Sequence, residues 1–361
     1  MREVKKIISL LGSTVVPLLS IALALLCGVI IMLVLGADPV LALKSLFIGA
    51  FGSKGNIGAT LTKATPLMFC ALCACFAYKC GVFNLGGEGQ FIIGSVACYY
   101  VAYCSGITGI PGILISLLAG AVVGGLWAAI PGVLKITRGQ NEMIISIMLN
   151  YVATLFMGIV YTNWLRDEYV PQTLPVPDEV KLPRVISDMR FTWGFVIALV
   201  LGFILYYVLF WTSAGFKFRA VGYNMTASRF NGFPIKRYVL ISFIISGAIA
   251  GLGGGAELLG TQFRLINGFG AGYGFDGVAM ALIGQLHPIA TMAVAVFFAA
   301  LRSGSMAMQA ATGVPTSVSD IIQALVIVFS VAGMALVKLP EFEAFRLRFF
   351  SKKEQKEAAQ K

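Results

Sequence analysis

Ten apolar runs follow one another along this 361-residue chain, near 9–35, 61–79, 90–104, 111–134, 143–163, 191–212, 238–256, 276–286, 288–302 and 318–338. That recurrence limits the fold more than any other feature of the sequence. About 20 apolar residues suffice to cross a bilayer as a helix, which satisfies every backbone N–H and C=O within itself. Charged residues make up 12% of the chain and hydrophobic ones 58%, whereas a soluble domain is about a quarter charged. So few charges cannot solvate a soluble surface. An ordinary soluble enzyme, a disordered chain and a nucleic-acid binder are therefore excluded. The reading that remains is an all-α polytopic membrane protein of about ten transmembrane helices. The runs at 90–104 and 276–286 are short. Each fits only if the glycine-rich stretch before it lies at membrane depth, shielded by protein.

The net charge is +11, from 27 Lys and Arg against 16 Asp and Glu. With ten crossings and a cytoplasmic start, 18 Lys and Arg fall on inside segments and 9 on outside ones. That is the bias the positive-inside rule expects, and it places both termini in the cytoplasm. The N-terminal apolar run is too long for a signal-peptide core of roughly 7–15 residues, so it reads as an uncleaved first helix. The chain is then one transmembrane domain. Its expected parts are a first helix at 7–35, a first repeat at 57–163, an extracytoplasmic loop at 164–190 and a helix at 191–212. A basic cytoplasmic loop at 213–237, a second repeat at 238–338 and a cytoplasmic tail at 339–361 complete it.

The repeats are suggested by an internal echo. Gly81-Val-Phe-Asn-Leu-Gly-Gly-Glu-Gly89 and Gly270-Ala-Gly-Tyr-Gly-Phe-Asp-Gly277 are both glycine-rich, hold one acid each and open a short helix. In the ten-crossing topology they start on opposite faces, the mark of inverted-repeat halves with interrupted segments at the transport pathway. Glu88 and Asp276 are the acids deepest in apolar sequence. A carboxylate at the bilayer centre costs roughly 2.5–3.5 kcal/mol, so each is placed for a reason: a pathway contact or proton site, or a cap for the helix that follows it.

Chemistry-bearing motifs are otherwise scarce. Gly272–Gly277 matches G-x-G-x-x-G, but no strand precedes it and the context is membrane, so it is no dinucleotide fingerprint. No P-loop sequence and no G-x-S-x-G elbow occur. The single histidine, His287, allows no multi-His metal site. The seven cysteines, Cys27, Cys70, Cys73, Cys75, Cys80, Cys98 and Cys104, lie in or beside apolar runs and read as small core residues. No catalytic residue and no metal ligand is expected. Gly120/Gly124 and Gly251/Gly255 are G-x-x-x-G pairs suited to close helix packing. In the loop 214–237, Arg219, Arg229, Lys236 and Arg237 alternate with apolar residues. It is either a solvated basic loop or a docking element for a cytoplasmic partner.

Several stretches carry a family resemblance in order and spacing, from about residue 15 to 338. They are Ala64-Thr-Pro-Leu67, Phe83-Asn-Leu-Gly-Gly-Glu-Gly-Gln90, Pro131-Gly-Val-Leu-Lys135, Asn141-Glu-Met-Ile144, Met148-Leu-Asn-Tyr151, Arg219-Ala-Val-Gly-Tyr-Asn224, Ser246-Gly-Ala-Ile-Ala-Gly251 and Gly274-Phe-Asp-Gly277. The chain resembles the permeases of bacterial ABC importers, in the branch shared by ribose-type sugar and branched-chain amino acid systems, and within it the nucleoside-importer subgroup. The resemblance implies a multi-pass subunit of the bacterial cytoplasmic membrane, embedded in the lipid bilayer and binding no nucleic acid. Its partners would be a second permease chain, often a related heterodimer partner, a cytoplasmic ABC ATPase and an extracytoplasmic substrate-binding lipoprotein. No cofactor would be bound by this chain, ATP and Mg being used by the ATPase.

The translocation pathway and gate are expected around Asn84, Glu88, Gln90, Tyr273, Phe275 and Asp276. Coupling to the ATPase is expected through Arg219, Gly222, Asn224, Ala227, Arg229, Gly232, Lys236 and Arg237. Older importer permeases carry Glu-Ala-Ala…Gly there. This chain has Thr226-Ala227-Ser228…Gly232, with Asn231 and Phe233 where Ala and Ile are expected. A simple sugar or a branched-chain amino acid is the alternative cargo, and a proton-coupled secondary transporter the more remote alternative.

Overall fold

The computed structural model describes residues 19–186 and 188–337, and every regular element within them is helical. The start of the expected first helix and the tail at 339–361 lie outside the described residues. In chain order the helices are α1 (Leu19–Val34), α2 (Pro39–Phe51), α3 (Lys54–Lys79), α4 (Gly87–Cys104), α5 (Gly109–Arg138) and α6 (Glu142–Ile159). There follow α7 (Trp193–Trp211), α8 (Ser213–Tyr223), α9 (Met225–Phe230), α10 (Ile235–Glu257), α11 (Tyr273–Ile283), α12 (Pro288–Thr312) and α13 (Ser317–Val337). One π-turn extends α6 through Val160–Trp164 and another extends α10 through Leu258–Gln262.

Among the described residues six helices are long and apolar enough to cross a membrane: α3, α5, α6 with its π-turn, α7, α10 with its π-turn, and α12. Shorter apolar helices cover Leu19–Val34, Pro39–Phe51, Tyr273–Ile283 and Ser317–Gly333. Their surfaces are inverted relative to a soluble protein. On α5 the exposed side chains Ile110, Leu114, Leu118, Val122 and Leu126 recur at every fourth position. The buried face instead holds Ser116, Gly120, Gly124, Ala128 and Gly132. Large apolar residues outward and small ones inward is the arrangement lipid favours, because helices there associate by close packing. Trp193 and Trp211 mark the ends of α7. Its 19 residues, at about 1.5 Å each, span close to the ~30 Å hydrocarbon thickness.

The chain divides into two units. In the unit from Ser45 to Ala307, α3 is the central helix, buried without interruption from Ala64 to Ala77. It packs against α7, α10 and α11. Beside it α4, α5 and α10 cross on glycines, as the G-x-x-x-G pairs predict. A Cβ added to Gly124 would lie 2.7 Å from the Gly247 carbonyl oxygen, and one on Gly94 would lie 2.7 Å from that of Gly251. In the other unit α1 and α13 pack directly, with Gly28 facing Ile322.

Several elements differ from the sequence expectation. Helix α2 lies between the expected first helix and the first repeat, in a stretch given no element. Helix α3 starts at Lys54 rather than at the apolar run, because Ser53 caps it by accepting from the Asn56 N–H at 3.1 Å. Helix α12 runs past 302 to Thr312 and so carries Arg302 within it. The basic loop is two helices, α8 and α9, joined at the extended residue Asn224. The loop 164–190 is ordered against the chain beyond α10. Val176 N–H donates to the Phe263 carbonyl at 2.8 Å, Leu182 N–H to that of Leu259 at 2.8 Å, and Thr173 N–H to that of Leu265 at 3.1 Å.

Candidate functional site

The two glycine-rich stretches that open α4 and α11 meet. A Cβ added to Gly274 would lie 2.6 Å from the Cβ of Glu88, so only glycine permits the contact. Each helix N-terminus carries about half a positive charge, and bringing two together calls for anionic groups. Glu88 and Asp276 sit in the first turns of α4 and α11 and supply them. They do not simply cap the helices they open. Glu88 accepts from the backbone N–H of Gly272, the residue that begins the other helix, and its Oε2 has no protein partner. Asp276 forms an ion pair with Arg302 of α12 at 2.5 Å. Lys63 of α3 donates to the Arg302 carbonyl at 3.0 Å. Arg302 and Lys63, counted as outside charges in the topology, are therefore engaged within the helices.

Asn84 and Gln90 are each 1% exposed. Asn84 Nδ2 donates to Gln90 Oε1 at 2.9 Å, and Gln90 Nε2 donates back to Asn84 Oδ1 at 2.9 Å. Asn84 also donates to Ser246 Oγ of α10 at 2.8 Å and accepts from the Gly86 N–H at 3.0 Å. Asn150 of α6 closes the same loop, accepting from the Gly89 N–H at 2.9 Å and donating to the Leu85 carbonyl at 2.9 Å. The two amides thus form a clasp that fixes the entry to α4, each hydrogen-bonded to the other. Phe275 is exposed, and Tyr273 packs edge-on against Phe91 with ring centroids 5.8 Å apart.

Tyr273 also reaches a cavity of about 540 Å³ that no sequence motif announced. Its walls come from α3 (Thr62, Lys63, Pro66), from the π-turn of α10 (Gly260, Thr261, Gln262) and from the loop 164–190 with the residues that follow it (Leu182, Arg184, Arg190, Thr192). Glu257, the last residue of α10 before the π-turn, lines it while only 3% exposed. The sequence signal was available: Glu257 is the only acid between Asp188 and Asp276. Asn150 also escaped the sequence reading, since its partners stand more than sixty positions away.

At the other end of the same unit, α8 and α9 present the expected coupling residues. Gly222 lies against the turn between α3 and α4. A Cβ there would come within 2.9 Å of the Gly81 nitrogen and 3.0 Å of the Cys80 carbonyl carbon. Gly81 has φ 75° and Gly232 has φ 77°. Each ends its helix in a Schellman pattern, Val82 N–H to the Ala77 carbonyl at 3.1 Å and Phe233 N–H to the Ser228 carbonyl at 3.0 Å. Asn224 caps α9 by accepting from the Ala227 N–H at 2.9 Å. Asn224 and Ala227 line a groove of about 260 Å³ with Phe216, Ala220, Ser228, Asn231 and Phe233. Arg229, Lys236 and Arg237 are exposed. Arg219 is turned inward over the Phe210 ring, 5.0 Å from its centroid, and so holds α8 to α7.

Residues 56–331 match the family described as branched-chain amino acid transport system / permease component. The guanosine ABC transporter permease protein NupP of Bacillus subtilis is 33% identical over 90% of this chain and 95% of its own length. The nucleoside ABC transporter permease protein NupB of Lactococcus lactis is 31% identical over 95% of this chain and 98% of its own. The glucose ABC transporter permease protein TsgB13 of Haloferax volcanii is 31% identical over 87% and 86%. No solved structure matches the chain. With three quarters of its residues matched and its length shared with these relatives, the chain belongs to the permease-component family of branched-chain amino acid transport systems.

Proposed function

We propose that this ABC permease is one of two membrane subunits of a bacterial nucleoside importer, in the cytoplasmic membrane. The observation that carries the cargo is the near-full-length likeness to guanosine and nucleoside permeases. In this reading the chain crosses the membrane about ten times, with both termini in the cytoplasm and inverted repeats at 57–163 and 238–338. The second permease is a related chain, an extracytoplasmic lipoprotein delivers the substrate, and a cytoplasmic ATPase uses ATP and Mg. This chain binds no cofactor of its own.

Coupling enters at α8 and α9. The exposed groove and the exposed Arg229, Lys236 and Arg237 support docking on the ATPase. Gly222 then passes the motion to Gly81 and the clasp of Asn84 and Gln90 at the head of α4. There Glu88, Tyr273, Phe275 and Asp276 flank the meeting of the two helix N-termini, and the pathway opens or closes as those ends move. A neutral nucleoside needs no coupling ion.

The test is uptake of labelled guanosine, adenosine and uridine by cells with and without this chain, with unlabelled ribose and leucine as competitors. Loss of nucleoside uptake without the chain, uncompeted by ribose or leucine, is the expected result. Unchanged nucleoside uptake where no other importer operates overturns it. The glucose relative favours a sugar as the second reading, and competition by ribose would point there.

A further inference from the structure

We infer that the Glu257 cavity is a substrate subsite in the permease itself, and that Glu257 receives a vicinal diol, the ribose of a nucleoside in the reading above, on which this inference rests. The starting observation is a side chain in want of partners. Glu257 is 3% exposed. Its carboxyl is hydrogen-bonded by the Gln262 and Thr261 side chains, Gln262 Nε2 donating to Oε1 at 3.2 Å, and Oε2 has no partner within hydrogen-bond geometry. A buried carboxylate oxygen left unpaired is costly, and the residue that carries it lines a cavity of about 540 Å³, within the range that small-molecule sites occupy.

The backbone around it is built for the purpose. Directly after Glu257 the helix passes into the π-turn Leu258–Gln262, a feature frequent at functional sites. Phe263 ends that turn with φ 59°, a left-handed conformation that a bulky side chain rarely adopts. The turn is held there by the loop hydrogen bonds to Leu259 and Phe263.

The chemistry of the walls selects the ligand. Arg184 and Arg190 are exposed at the rim, and the Lys63 ammonium is taken by the Arg302 carbonyl. The inner wall offers the Glu257 carboxyl as an acceptor with capacity left over, held in place by the Gln262 and Thr261 side chains. Tyr273 and Phe263 line the same cavity, and Lys181 Nζ lies 4.8 Å from the Phe263 ring centroid. A carboxylate accepts the two parallel O–H groups of a cis-diol, as it accepts any paired donors. A flat base attached to that diol fits the aromatic side. In the proposed topology the loop 164–190, which contributes Leu182, Arg184 and Arg190 to the wall, lies on the side of the delivering lipoprotein, so Glu257 would meet the ligand before the helix ends at Glu88 and Gly274 do.

Two measurements test it. The first is uptake by the assembled importer, wild type against Glu257→Gln, of guanosine, 2′,3′-dideoxyguanosine and ribose, with the same lipoprotein throughout. That comparison cancels the lipoprotein's own selectivity. Losing a hydrogen bond to a charged group is expected to lower guanosine uptake about tenfold or more, while dideoxyguanosine changes less than about twofold. An unchanged ratio between the two, or an equal loss for both, overturns the subsite. If wild type carries ribose but no nucleoside, a tenfold loss of ribose uptake in Glu257→Gln supports the diol site and refutes the nucleoside reading alone. The second measurement needs no variant. Saturation-transfer NMR on the wild-type importer with guanosine should show the strongest contacts at the ribose 2′ and 3′ protons, and signal confined to the base would refute the assignment.

Discussion

Replacing Asn84 with alanine separates a structural clasp from a substrate contact. Asn84 makes five side-chain hydrogen bonds, two with Gln90, one to Ser246, one from the Gly86 N–H and a weak one to Cys73 Sγ at 3.9 Å. Truncation leaves Gln90 Nε2 and the Gly86 N–H without their partner at a site that is 1% exposed, while Gln90 Oε1 keeps only the weak Cys73 Sγ donor at 3.9 Å. Ser246 keeps its bond to the Phe243 carbonyl at 2.9 Å and loses little. Two orphaned groups at about 1–3 kcal/mol each, together with the weakened Gln90 Oε1 and offset by some local relaxation, give a loss of about 3–5 kcal/mol. Gln90→Ala should cost less, about 2–3 kcal/mol, because Asn84 retains Ser246 and Gly86. The double variant should cost clearly less than the two together, with a coupling of about 1.5–3 kcal/mol, since the second truncation removes the groups the first orphaned. The assay is thermal unfolding of the purified protein, where each kcal/mol moves the midpoint by roughly 2–4 °C. Uptake at permissive temperature should fall in rate without a change in substrate preference. Additive shifts, or an Asn84→Ala midpoint within about 1 °C of wild type, would refute the clasp. A changed preference among nucleosides would return Asn84 to the pathway.

Two further outcomes follow from the geometry. Gly222→Val drives a side chain into the turn at Cys80 and Gly81; overpacking of about 1–3 kcal/mol should leave membrane insertion intact while uptake falls about tenfold or more, and normal uptake would sink the coupling role of α8. Cys104 is exposed, whereas Cys70, Cys73, Cys75, Cys80 and Cys98 are buried. A membrane-impermeant maleimide should therefore label a variant retaining Cys104 alone in intact cells, and labelling confined to inverted vesicles would overturn the cytoplasmic start.

What the sequence made legible depends on whether a feature is local. The glycine pairs announced the α5–α10 crossing because close helix approach is dictated by residues four apart on one helix face. The paired glycine breaks announced that α4 and α11 are special, and the two do meet at Gly274 and Glu88. What escaped is tertiary or marginal. Helix α2 spans 13 residues around Lys44, too few to read as a crossing. The fate of Asp276 depends on Arg302, twenty-six positions on, in a helix that continues beyond its apolar run. Glu257 escaped because it stands one residue past the end of the run at 238–256, where an acid reads as the start of a loop.

Glu88, Glu257 and Asp276, the acids around the meeting helix ends and the cavity, all stand where a helix begins or changes pitch. Glu88 and Asp276 serve helix N-termini, and Glu257 precedes a π-turn. These are the places where backbone regularity fails and polar capacity is left over. They are also joined to one another by contacts that leave no room for give. Gly222 touches the turn at Gly81, the turn leads into the clasp of Asn84 and Gln90, and the helix that follows meets Gly274. Tyr273, the next residue back, forms part of the cavity wall with Glu257. Backbone-to-backbone packing through glycine is close to incompressible. A displacement of α8 must then be taken up at the head of α4 or passed on to α11 and the cavity. The rigidity of the Asn84–Gln90 clasp decides between those two outcomes. Loosening it should uncouple the cavity from α8 before it unfolds the chain.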